Sequence, residues 1–158
     1  MIRPRLQFVA IALFAAALFA NDSPANLSGT WVLDANQSKW GNHGRPTSII
    51  INIAHQEPAL KYTGQEIKPG EEQAREFSFD GAIDGKSYPV RGPGEEGSMY
   101  YKRVDGHTID SVFSSKDGTV VEHARTTISN DGKRLTREVK VNSPAHTESW
   151  TEVYVRRQ

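Results

Sequence analysis

Leu27-Ser28-Gly29-Thr30-Trp31 is the run from which the rest of this chain is read. It opens the first β-type segment after an apolar leader. The remainder repeats one pattern, in which a short alternating run meets a turn dipeptide and another run follows. Alternation with period two marks strands that bury one face, and helical periodicity is almost absent beyond the leader. Asp-Gly occurs five times, at Asp80-Gly81, Asp84-Gly85, Asp105-Gly106, Asp117-Gly118 and Asp131-Gly132. Both residues tolerate the positive φ that tight hairpins need, so the dipeptide signals antiparallel neighbours.

Between the turns, segments rich in β-branched and aromatic residues predict strands at Thr30–Leu33, Ser48–His55, Leu60–Thr63, Ala74–Phe79 and Ser87–Arg91. The series continues with Met99–Val104, Thr108–Ser114, Thr119–Ile128, Leu135–Val141 and Thr147–Arg156. Connections after Pro46 are short enough for sequential strands to pair, so an up-and-down meander is the economical topology. Closure removes the edge strands that would otherwise invite aggregation. The expected fold is therefore all-β, a single antiparallel up-and-down barrel of about eight to ten strands, with a two-sheet sandwich as the alternative. Asp34–Pro46 has room for one helical turn around Ala35–Lys39 before Gly41, Gly44 and Pro46 break it. This stretch and the irregular, acidic Gly92–Gly97 are rim or plain loop.

The leader is read as a targeting segment. Arg3 and Arg5 precede the unbroken apolar run Phe8–Ala20, which is too short to span a bilayer comfortably. Cleavage after Ala20, or failing that Ala17, leaves residues 21–158 as one domain; an uncleaved anchor is the other reading. The absence of cysteine excludes disulfides and lipoprotein acylation. Export without disulfides points to a bacterial periplasmic or secreted protein. The chain is formally neutral, and loss of Arg3 and Arg5 leaves a small acidic excess. That balance favours neither nucleic acid nor an anionic membrane surface, and no stable membrane insertion is expected after cleavage.

Period-two alternation assigns faces. Ile49, Ile51 and Ile53 share one, as do Arg75, Phe77 and Phe79, and Leu135, Arg137, Val139 and Val141. Ile109, Ser111 and Phe113 form another set. In the last segment Trp150, Tyr154 and Arg156 fall with Glu148 and Glu152. Either parity of Thr119–Ile128 mixes polar with apolar residues, which suits a wet cavity better than a dry core. Arg75 and Arg137 stand out on apolar faces, because an interior guanidinium needs a partner. Internal carboxylates or the anionic head of a bound amphiphile would serve, or the arginine lies at a strand end and reaches water.

Catalytic signatures are missing. The chain has no Gly-x-Ser-x-Gly, Ser-x-x-Lys or His-Glu-x-x-His, and His43, His55, His107, His123 and His146 show no metal-ligand spacing. Neither a catalytic set, a metal site nor a cofactor is assigned. Glu71-Glu72 and Glu95-Glu96 read as solvated loop charge.

At Leu27-Ser28-Gly29-Thr30-Trp31 the sequence resembles the calycin group, the lipocalins and fatty-acid-binding proteins, whose first strand carries Gly-x-Trp. Ser38-Lys39-Trp40-Gly41, the Asp-Gly hairpins and the terminal Trp150 and Tyr154 extend the likeness to small secreted bacterial lipocalin-like proteins. The resemblance implies that Trp31, with Gly29, closes the barrel under an arginine from the last strand, Arg156 or Arg157. Stacking of that kind is worth roughly 0.5–2 kcal/mol. The chain departs from the pattern in three places. Lipocalins usually follow the barrel with a helix, and this sequence stops at Gln158. Asp34–Pro46 has room for barely one of the two helices that fatty-acid-binding proteins insert between the first strands. Glu152 stands where those proteins place the arginine of Arg-x-Tyr.

The expected function is non-covalent binding of a small hydrophobic or amphiphilic molecule, one with an anionic head included. Arg75 and Arg137 are candidates for a head group, and Phe77 and Tyr101 for apolar wall. A filled barrel serving as an envelope interaction module is the alternative. A third reading is a barrel enzyme with a dispersed site around His123 and Arg125.

Overall fold

A computed structural model of the chain describes residues 23–92 and 96–157. The leader at 1–20 and its cleavage point lie outside the described residues, as do Pro93, Gly94 and Glu95 of the acidic loop. Ten strands follow in order: β1 Gly29–Leu33, β2 Ser48–Gln56, β3 Ala59–Ile67, β4 Arg75–Ala82 and β5 Ser87–Arg91. They continue as β6 Gly97–Arg103, β7 Thr108–Ser115, β8 Val121–Ile128, β9 Arg134–Asn142 and β10 Thr147–Arg156. Each pairs antiparallel with its sequence neighbours, and β1 also pairs with β10, so the sheet closes into a barrel. The meander is the expected one, and closure leaves no free edge.

Four of the Asp-Gly dipeptides sit in hairpin turns, where the aspartates of 84, 105, 117 and 131 each accept the backbone N–H two residues on. The fifth does not turn the chain. Asp80 and Gly81 lie inside β4, opposite Lys61 and Leu60 of β3. Gly81 is there for space, since a Cβ would fall 2.6 Å from the Tyr88 ring and 2.7 Å from that of Phe79. Gly64 has the same role within β3, where a Cβ would lie 2.1 Å from the Phe77 ring. A glycine that accepts a cross-strand aromatic ring lets β3 run on to Ile67, well past the predicted end at Thr63.

Alternation holds around the barrel. Inward residues from β2, β4, β7 and β9 are the four sets expected to share faces, and in β8 the inward parity is Glu122, Ala124, Thr126 and Ile128. The outward face is polar, with Lys61 paired to Asp80 and Arg125 to Asp110. That is the reverse of the apolar band a membrane-spanning barrel turns to lipid.

One end is sealed. Residues preceding β1 cross it and bury Leu27, whose carbonyl accepts the Trp31 Nε1–H at 2.8 Å. The Leu27 N–H donates to His55 Nδ1 at 3.2 Å, which puts the imidazole proton on Nε2, facing Glu57 at 2.8 Å. Glu57 in turn takes a two-pronged bond from Arg103. Arg103 at the end of β6 holds the Glu57 carboxyl below the ordinary carboxylate range, against the effect of burial and with help from His55.

At the other end Asp34 caps one turn at Ala35–Gln37. The chain then rejoins the barrel wall through a Lys39–Thr151 bridge. His43 folds over the rim, stacked on Trp150 with ring centres 3.8 Å apart and planes within 6°. Its Nδ1 lies 2.9 Å from Glu148.

Candidate ligand-binding cavity

The inward residues do not fill the barrel. A cavity of about 400 Å³ lies between the sealed end and the His43 rim. Its lower wall is apolar, built from Leu27, Trp31, Leu60, Ile109 and Leu135. Above it lies a belt of polar groups carried by five strands. Tyr62 on β3 and Tyr101 on β6 meet hydroxyl to hydroxyl at 3.0 Å, and Tyr62 also reaches Met99 Sδ at 3.7 Å. Phe79 packs against both rings. Arg137 on β9 and Glu122 on β8 are close enough to bear electrostatically on both tyrosines, and Glu152 on β10 completes the belt.

Register explains how the charged groups meet. Arg137 is the direct partner of Glu152 across β9 and β10, and its Nη1 donates to Glu152 at 3.0 Å. Its Nη2 donates to Glu122, two inward positions closer to the rim on β8 than Thr126, the residue that pairs with Arg137. Glu152 is only 5% exposed and is fully satisfied. It also accepts the Trp150 Nε1–H at 2.7 Å and the Tyr154 hydroxyl at 2.9 Å. Trp150, Glu152 and Tyr154 alternate on one strand, so the carboxylate is flanked by two donors from its own chain. Three charged groups buried with mutual hydrogen bonds cost desolvation and return it as attraction. Such a set specifies arrangement more than it adds stability.

The electrostatics follow from that packing. Burial works against the Arg137 charge, but Glu122 and Glu152 more than offset it and hold the guanidinium protonated well above its ordinary range. Burial pushes the Tyr101 hydroxyl up to about 12. Tyr62 and Tyr154 are driven well above the ordinary tyrosine value, chiefly by burial, with Tyr101 beside the first and Glu152 beside the second. All three stay neutral donors at physiological pH.

Of the residues singled out from sequence, Phe77, Tyr101 and Arg137 line this cavity. Arg75 does not. It begins β4 at the rim end and is bound by Glu71, with Nη2 2.6 Å from Oε1, because the strand face that carries Phe77 and Phe79 inward has already reached solvent there. Arg137 has internal carboxylates as partners, so both its terminal nitrogens are engaged before any head group arrives. Trp31 is fully buried, and the Arg156 guanidinium carbon stands 4.6 Å from its ring centre. Gly29 takes φ 130°, open to glycine and not to L side chains. His123 and Arg125 both point outward and lie outside the cavity.

The sequence does not single out Tyr62, Glu122 or the stacking of His43 on Trp150, although Asp34–Pro46 is one of the two stretches it offers as a rim. Only the β8 parity could have exposed Glu122. Among the described residues no three histidine or carboxylate side chains converge as metal ligands.

No family model matches the sequence, and no curated protein does. Solved structures do match in fold. An abundant heat soluble (SAHS) protein from Ramazzottius varieornatus superposes with TM-score 0.60 at 11% identity, over 82% of this chain and 94% of that one. Rv2717c from M. tuberculosis superposes with TM-score 0.54 at 15% identity, over 84% and 93% respectively. At such identities the likeness concerns the backbone and not the contents. By its topology and these neighbours, the chain has the fold of a ten-stranded lipocalin-like barrel.

Proposed function

We propose that this protein is an exported container that holds one small hydrophobic or amphiphilic molecule non-covalently inside its barrel. The observation that carries the reading is the cavity of about 400 Å³ in a closed barrel. Small-molecule sites occupy roughly 300–1,000 Å³ and combine apolar walls with a few placed polar groups. This lumen has that composition, with an apolar lower wall under the Tyr62–Tyr101–Arg137 belt. A filled interaction module has no use for such a space, which favours the container over that alternative. Export rests on the sequence of residues 1–20.

The test is titration with the neutral fluorophore N-phenyl-1-naphthylamine. A container gives saturable enhancement with one site per chain, weakened when Thr126→Phe fills part of the lumen. Absence of saturable binding to the folded protein returns the barrel to the interaction-module reading.

A further inference from the structure

We infer that the lumen selects ligands bearing a cationic, hydrogen-bond-donating group, an alkylammonium, seated against Glu122. The inference rests on the container reading and adds the chemistry of what is contained. It comes from matching donors with acceptors around the cavity. The Arg137 terminal nitrogens serve Glu122 and Glu152, Trp150 Nε1–H and the Tyr154 hydroxyl serve Glu152, and the tyrosine pair bond one another with Met99 Sδ beside them. Arg137, the one cation of the belt, therefore already faces two carboxylates. Acceptors are left over. Glu122 takes its bond from Arg137 on Oε1, and its Oε2 has no hydrogen-bond partner among the described residues. Glu66, which also lines the cavity, has none on either oxygen among those residues.

Charge points the same way. The cavity is bordered by Glu66, Glu122 and Glu152 against Arg137 and Lys68, one formal negative charge in excess. Lys68, included in that balance, borders the cavity at its rim end, just beyond β3. The Glu122 side chain is only 20% exposed, so a cation beside it meets little screening water. An incoming carboxylate would find the Arg137 charge already matched by Glu122 and Glu152, and Glu122 in its path. A like-charge contact of that kind is repulsive, and selectivity then comes from exclusion as well as attraction.

The experiment displaces N-phenyl-1-naphthylamine from the intact protein with three ligands of one chain length, decylamine, decan-1-ol and decanoate, at neutral pH. Decylamine is expected to displace the probe at a concentration at least about tenfold below that of decanoate. Decan-1-ol should fall between them. Glu122→Gln should remove most of the decylamine advantage while decan-1-ol still binds. Glu66→Gln, nearer the rim, gives a second reading should the Glu122 variant not fold. Decanoate binding as well as or better than decylamine overturns the inference and leaves the container standing, as does an amine preference unmoved by both variants. Failure of the probe itself to bind overturns the container reading, and this inference with it.

Discussion

Arg156 lies across the indole of Trp31, with its guanidinium carbon 4.6 Å from the ring centre, and the two residues are also direct partners across β1 and β10. The cation therefore covers the ring at the seam where the last strand meets the first. On the other side Trp31 pairs with Ile51 of β2. The Arg156 Nη2–H donates to the Asn26 carbonyl, which ties the segment before β1 to the same seam. Closure and sealing of one barrel end thus share a single pair of side chains.

Removing either member should weaken closure by different amounts. Trp31→Ala takes away a fully buried ring and should cost about 3–5 kcal/mol. Arg156→Ala removes a cation–π contact and one hydrogen bond, about 1–2 kcal/mol together. Urea unfolding followed by far-ultraviolet dichroism measures both, and similar losses for the two variants would contradict the order given.

Gly64→Ala should destabilise by about 1–3 kcal/mol, because the new methyl would occupy the place of the Phe77 ring. The double variant Gly64→Ala with Phe77→Leu should lose less than the sum of the two single changes. A double-mutant cycle in urea reads that coupling directly, and strict additivity would mean the ring does not press on Gly64.

Arg137→Leu should be the costliest of the belt substitutions, about 3–5 kcal/mol, since it strands Glu122 and Glu152 in the interior. Thermal unfolding of the variant beside the parent protein at neutral pH measures the loss. A loss no larger than that of Tyr62→Phe would show that the carboxylates had found other cations.

The tyrosines set the alkaline limit. Their hydroxyls hold protons more tightly folded than unfolded, so they contribute stability below the ordinary value of 10 that is lost as pH rises through the folded values. Tyr101 should ionise near pH 12. An ultraviolet tyrosinate titration should show a fraction of the signal delayed beyond pH 10 and arriving with unfolding. Ionisation of all five tyrosines in one step near 10, with the barrel intact, would contradict the buried belt.

Much of the fold was legible because strand alternation and turn chemistry are local. The four Asp-Gly turns and the faces of β2, β4, β7 and β9 needed only neighbours in sequence. Asp80-Gly81 misled because a glycine that yields space to Tyr88 and Phe79 looks like one that turns the chain. Arg75 and Arg137 were alike by parity and differ by height in the barrel, which only strand register supplies. Register also decides that Arg137 faces Glu152 and stands two inward steps from Glu122. The His43–Trp150 stack joins residues far apart in the chain through an irregular loop, and no periodicity carries that.

A container of this kind holds its ligand in the lumen and not on the outer face of the barrel. The most direct test is the set of intermolecular nuclear Overhauser effects between bound decan-1-ol and the protein. Contacts are expected from the alkyl chain to the rings of Tyr62, Tyr101 and Trp150 and to the Ile51 side chain, all of which line the cavity. Contacts confined to outward residues such as Val155, or no bound ligand at all, would contradict the container reading.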